Sequence, residues 1–152
     1  MLERQDLTTE ESVRNDVTMW LTRKDFELKY IATTRGRPRG SQPRGRPRNA
    51  KPPDIIAKRR TQNSYYFIEA KGDSPSTTNL YGVIGQIVVQ KARTTPASYA
   101  VALPVSYKRT ILDVLSLRAW KQARFNIILV KSNHSVVEFR PGKRNLENIR
   151  GL

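Results

Sequence analysis

The sequence predicts an α/β fold in which a mixed central sheet is flanked by helices. Three observations point to it. Apolar residues recur at helical spacing in three separate stretches. Short runs of β-branched and aromatic residues lie between those stretches. The resulting order, α-β-[loop]-β-β-α-β-α-β-β, puts three early strands in hairpin-like succession and then alternates strands with helices. A chain of 152 residues suits one domain spanning 1–152.

The elements follow in order. Residues 8–22 read as a helix: Thr8 and Glu11 form a capping box, and Val13, Val17, Trp20 and Leu21 make one apolar stripe. Residues 26–34 alternate as a strand. Residues 35–53, RGRPRGSQPRGRPRNAKPP, hold no aliphatic side chain larger than alanine, so they read as a disordered Arg/Gly/Pro loop between the first two strands. Residues 54–57 form a short apolar strand, 61–63 a turn, and 65–71 a strand rich in aromatics. A helix is expected over 79–93, with Leu80, Val83, Ile84, Ile87 and Val88. A buried strand over 99–103 stops at Pro104, and an amphipathic helix over 107–122 carries Ile111, Val114, Leu115 and Trp120. Strands at 125–130 and 136–139 follow, and residues 140–152 read as a frayed basic tail.

Composition narrows the chemistry. Cysteine is absent and histidine occurs once, which excludes disulfides, thiolate metal sites, thiol nucleophiles and multi-histidine centres. No apolar run is long enough to span a membrane, and the N-terminus has no signal-peptide pattern. A cytoplasmic, nucleoid-associated protein is expected. The formal net charge is +15, and it is unevenly placed. Residues 29–60 hold 11 basic residues and one acid, so most of the excess lies in one block. Such a block points to a polyanion, nucleic acid first.

Within that block Arg35-Gly36-Arg37-Pro38-Arg39 recurs as Arg44-Gly45-Arg46-Pro47-Arg48. Each copy resembles an AT-hook core. The narrow A·T minor groove is strongly negative and accepts guanidinium groups. Glycine allows close approach to the groove floor, and proline keeps the chain extended. Two copies raise effective concentration. Lys51 adds a further cation. The partner expected is DNA, duplex or branched, with A·T preference.

A second constellation carries chemistry. Asp54 opens one strand, and Glu69-Ala70-Lys71 ends the next. Glu69 and Lys71 are two apart on a strand and share a face. If the two strands form a hairpin, Asp54 comes close to Glu69. Two carboxylates suit Mg2+, which takes one or two such ligands plus water and phosphate. The main-chain carbonyl of Ala70 is a further ligand candidate, and Lys71 is placed to orient a water or steady a phosphate. Lys91 and Arg93 are cations at a helix end, suited by the dipole. His134 reads as a turn residue, and Trp20 and Trp120 as core.

Pro53-Asp54-Ile55-Ile56-Ala57 and Phe67-Ile68-Glu69-Ala70-Lys71 together resemble the PD-(D/E)XK nuclease superfamily, with its restriction-endonuclease-like fold. The resemblance covers roughly residues 8–139 and implies an αβββαβ core. It implies that Asp54 and Glu69 bind Mg2+, with Mn2+ able to substitute, and that Lys71 is the catalytic lysine. It further implies Glu10, on the first helix, as an additional metal ligand. Gln86, in Gly85-Gln86-Ile87, is implied to meet metal-bound water or DNA. Size and layout are similar to those of archaeal Holliday junction resolvases. Members often act as homodimers.

The expectation from sequence is a Mg2+-dependent DNA endonuclease with an AT-hook-like loop, working in repair, recombination, restriction or mobile-element processing. The alternatives are a non-catalytic, architectural DNA-binding protein that uses the Arg-Gly-Arg-Pro loop, and an RNA-binding or RNA-cleaving protein.

Overall fold

The computed structural model describes residues 8–32, 39–40, 52–91 and 97–152. Helix α1 (Glu10–Arg23) leads into β1 (Phe26–Ile31), β2 (Arg39–Gly40), β3 (Ile55–Arg59) and β4 (Tyr65–Ala70). Helix α2 (Thr77–Lys91) crosses to β5 (Ala97–Pro104). A 3-10 turn (Val105–Tyr107) then opens α3 (Lys108–Val114) and α4 (Leu117–Ala123). Strands β6 (Asn126–Val130) and β7 (Val136–Phe139) precede α5 (Lys143–Arg150).

One sheet runs in the order β2-β1-β3-β4-β5-β6-β7. Its first half is an antiparallel meander, with Ile31 opposite Ile55 and Ile55 opposite Ile68. β4, β5 and β6 are parallel, pairing Ala70 with Ala102 and Ala102 with Ile128. β7 returns antiparallel to β6. The sheet is therefore mixed and flanked by helices, as the element order predicts. Only the two-residue β2 departs from the six expected strands.

The central strands are continuous apolar runs because both faces are covered. Successive residues serve opposite layers. Ile55, Ile68, Ala70, Ala102 and Ile128 face the stripe of α1, made of Val13, Val17 and Leu21. Ile56, Phe67, Val101, Leu103 and Ile127 pack in the other layer with Leu80, Val83 and Ile87 of α2 and with Ile111, Trp120 and Ile149. The buried alanines Ala57, Ala70, Ala100 and Ala102 lie on the α1 side, where short side chains let a single helix sit close to the sheet.

Several elements differ from the sequence expectation. The N-cap of α1 is Thr9, whose Oγ1 accepts from the Ser12 N–H at 3.0 Å, so the cap lies one residue beyond the predicted Thr8–Glu11 box. The single helix expected over 107–122 is two. Leu115 is extended, and Ser116 caps α4 by accepting from the Ala119 N–H at 3.1 Å. The apolar spacing runs across this break because both short helices pack on the same layer.

The basic tail forms α5, anchored by the fully buried Ile149 with Leu146 one turn earlier. Inside the predicted loop, Arg39 and Gly40 pair with Ile31 and Tyr30. Pairing there supplies partners for backbone groups of β1 that would otherwise lie on an open edge. Arg35, Gly36, Arg37, Pro38, Arg44, Gly45, Arg46, Pro47, Arg48, Lys51 and Arg93 lie outside the described residues. Among the described residues no helix is long and apolar enough to cross a membrane.

Candidate active site

The meander fixes the position of Asp54. The Ala32 N–H donates to the Asp54 carbonyl at 2.8 Å, tying this residue to the end of β1. One step inward, Ile55 pairs with Ile68 across β3 and β4. Continuing that register sets Asp54 opposite Glu69. Both acids are buried, with 8% of Asp54 and 2% of Glu69 exposed. Asp54 Oδ2 accepts from the Ala70 N–H at 2.8 Å, so the carboxylate takes the place of a ladder bond where the strand pair ends. A bond from a charged acceptor to a backbone donor is among the stronger ones. It orients one oxygen of Asp54 toward β4.

Lys71 follows directly. Its N–H donates to the Ala102 carbonyl at 3.0 Å, which extends β4 against β5 by one residue. Strand alternation therefore places half-buried Lys71 on the face of Glu69. Asp54, Glu69 and Lys71 thus lie at one end of the sheet, on the face covered by α2. Tyr30 lies nearby on β1. Burial, and secondarily the Asp54 carboxylate, pushes its phenol above the ordinary tyrosine value.

The loop after β4 brings α1 to the same end. A Cβ on Gly72 would come within 2.6 Å of the Glu10 nitrogen, and the Asp73 N–H donates to the Thr8 carbonyl at 2.7 Å. Only a residue without a side chain allows this approach. Glu10 is thereby delivered to the sheet end that holds Glu69 and Lys71, but from the opposite layer. Its carboxylate lies 3.7 Å from Arg14 Nη1 and is partly exposed. Gln86 is placed differently. It lies nine residues into α2, about 13 Å along the axis from the start of the helix. Because α2 runs back from the β4 end, Gln86 is carried away from Lys71 and is not brought together with the acids.

Two features of this end were not singled out from sequence. Asp73 accepts from Ser106 Oγ at 2.8 Å, and Tyr107 donates its hydroxyl to the Ser74 carbonyl at 2.9 Å, so the loop after β4 is pinned to the turn after β5. Arg14 is 5% exposed, and its Nη2 has no hydrogen-bond partner among the described residues. Its position one helical turn after Glu10 and next to Val13 was the available signal.

The buried carboxylates of Asp54 and Glu69 and the Ala70 carbonyl are hard oxygen donors, the type of ligand that could hold Mg2+. Among the described residues no group of three or more His, Cys, Asp or Glu is gathered as metal ligands. Glu10 lies instead 3.7 Å from Arg14 Nη1. His134 is exposed, at φ 66°, with Nδ1 2.9 Å from Asp16 Oδ2. Trp120 is core, and its Nε1–H donates to the Phe125 carbonyl at 2.7 Å. Comparison with protein-family models, curated proteins and solved structures gives no match for this chain.

Proposed function

We propose that the protein is a Mg2+-dependent DNA endonuclease of the PD-(D/E)XK type. The observation that carries this reading is the placement of buried Asp54 one register step beyond the Ile55–Ile68 pair, opposite buried Glu69, with Lys71 following on the same strand. Taking carboxylates out of water is costly unless they are hydrogen-bonded, paired or bound to a metal. Two of them at the end of a strand pair, open to a loop, suit a cation that also meets a substrate phosphate.

In this reading Asp54, Glu69 and the Ala70 carbonyl hold the ion. Bound there, Mg2+ supplies charge neutralisation at the scissile phosphate and a more acidic water. Asp54 contributes its Oδ1, because Oδ2 is engaged by the Ala70 N–H. Lys71 steadies negative charge on the phosphate or orients the attacking water, and its half-buried position strengthens that interaction relative to bulk solvent. Gly72 and Asp73 keep the first turn of α1 against the site, so Glu10 is available at its rim. The two Arg-Gly-Arg-Pro segments hold the duplex through the minor groove, which localises a phosphodiester that the chain does not otherwise read.

The test is Asp54→Asn, which keeps an acceptor for the Ala70 N–H. Loss of cleavage with unchanged DNA affinity is the expected result. A wild-type protein that binds A·T-rich duplex tightly and cuts no DNA substrate under Mg2+ or Mn2+ would instead support the architectural alternative.

A further inference from the structure

A second basic site lies at the opposite end of the sheet, about 16 Å along β4 from Ala70 by strand rise. A concavity of ≈ 490 Å³ opens there, over the starts of β4, β5 and β6. That volume falls within the range of small-molecule sites. Four cations from four parts of the chain line it: Arg59 at the end of β3, Lys91 at the end of α2, Arg124 after α4 and Arg140 after β7. Among the described residues the only acid in the lining is Glu138, and its Oε2 already accepts the Tyr66 hydroxyl at 2.6 Å. Among the described residues Arg59, Arg124 and Arg140 form no ion pair with a carboxylate.

Two details show that this gathering of charge is held in place against its own repulsion. Lys91 Nζ donates to the carbonyls of Ala123 at 2.7 Å and Arg124 at 3.1 Å, which pins the end of α2 to the cap of α4. Burial, and then the charge of Arg124, lowers the Lys91 ammonium below the ordinary lysine value. Arg124 itself adopts φ 53°, ψ 53°, a left-handed cap where glycine is the low-strain residue. An arginine at that position costs conformational energy and adds a like charge to the site. Ser64 and Ser98 also line it, and each carries a hydroxyl able to donate to an oxyanion.

We propose that this concavity is a phosphomonoester-binding site. Arg59, Arg124 and Arg140 are exposed, and four cations around one concavity match a dianionic terminal phosphate, whose two charges engage more of them than the single charge of a phosphodiester. The carrier is inorganic phosphate, a nucleotide or a 5′-phosphorylated strand end, which share this chemistry. The site is independent of the carboxylate end and stands whether or not that end cuts DNA.

The experiment is thermal melting of the full chain against inorganic phosphate, dAMP and a 5′-phosphorylated tetranucleotide. Deoxyadenosine and sodium chloride of equal ionic strength serve as controls. A rise in Tm with at least one phosphate carrier, and none with the controls, is expected. The carrier that acts at the lowest concentration identifies the source of the phosphate. Arg124→Gly removes a cation while relieving the left-handed backbone, so the variant stays folded without ligand. Arg124→Gly and Arg140→Gln should each raise the half-maximal concentration about tenfold or more, as loss of a bond to a charged group does. No shift beyond the salt control, or an undiminished response in both variants, would overturn the proposal.

Discussion

Asp54 Oδ2 and the Ala70 N–H are joined at 2.8 Å, so the acid that opens β3 is bonded into the residue that closes β4. This bond gives Asp54 a structural role beside the metal-binding role proposed for it, and the two can be separated. Asp54→Ala leaves a buried donor unmet and should cost about 1.5–3 kcal/mol, measured by urea unfolding. Asp54→Asn restores the acceptor and should recover most of that stability, while both variants lose cleavage.

Gly72 tests the docking of α1. A methyl group there would meet the Glu10 nitrogen at 2.6 Å, and the neighbour is backbone, not a side chain free to rotate. Gly72→Ala should destabilise the fold by about 1–3 kcal/mol, as overpacking does. Hydrogen exchange at the Ser12 and Asp73 amides should accelerate first, since the Thr9 cap and the Thr8 carbonyl hold them. Unchanged exchange at both would show that α1 does not depend on this contact.

Tyr66 makes stability depend on alkaline pH. Its phenol is raised well above the ordinary tyrosine value, first by burial and then by the Glu138 carboxylate. A raised folded-state value means that the native state keeps its proton when the unfolded chain has begun to lose it. The contribution is complete below about pH 10, the unfolded value, and is lost as pH rises toward the folded one. Tyr30 and Tyr107 are shifted in the same direction, so wild type should lose stability steeply above pH 10. Tyr66→Phe should show a shallower loss in Tm measured from pH 9 to 11.

The Arg-Gly-Arg-Pro segments should dominate DNA affinity. Replacing Arg37 and Arg46 with alanine should weaken duplex binding and reduce the slope of log K against log salt by about two, if each arginine displaces one counterion. The loss should be larger on A·T-rich than on G·C-rich duplex, as fluorescence anisotropy would report.

Much of this architecture was legible because burial leaves a simple signature. Ile55-Ile56, Phe67-Ile68 and Ile127-Ile128 read as strands since both faces of the sheet are covered. The register that sets Asp54 opposite Glu69 is that of an ordinary hairpin. Arg14 and Asp73 were less legible because their surroundings depend on tertiary contacts that no local spacing encodes. The same holds for the basic recess, whose four cations are spread from position 59 to 140 and are brought together by the β3–β4 hairpin, the parallel crossovers and the return of β7. The break at Ser116 was obscured because apolar spacing continues through it, although a serine three residues ahead of Ala119 is an ordinary cap. Helix α5 was hidden by its charge, which outweighs Leu146 and Ile149 in composition but not in packing.

The most direct measurement is conversion of supercoiled plasmid by the purified protein, with Mg2+ and with EDTA, alongside Glu69→Ala. Nicked or linear product that requires Mg2+ and disappears in the variant is the expected result. Equal product from wild type and Glu69→Ala, or product that persists in EDTA, would contradict a metal site built on Asp54 and Glu69.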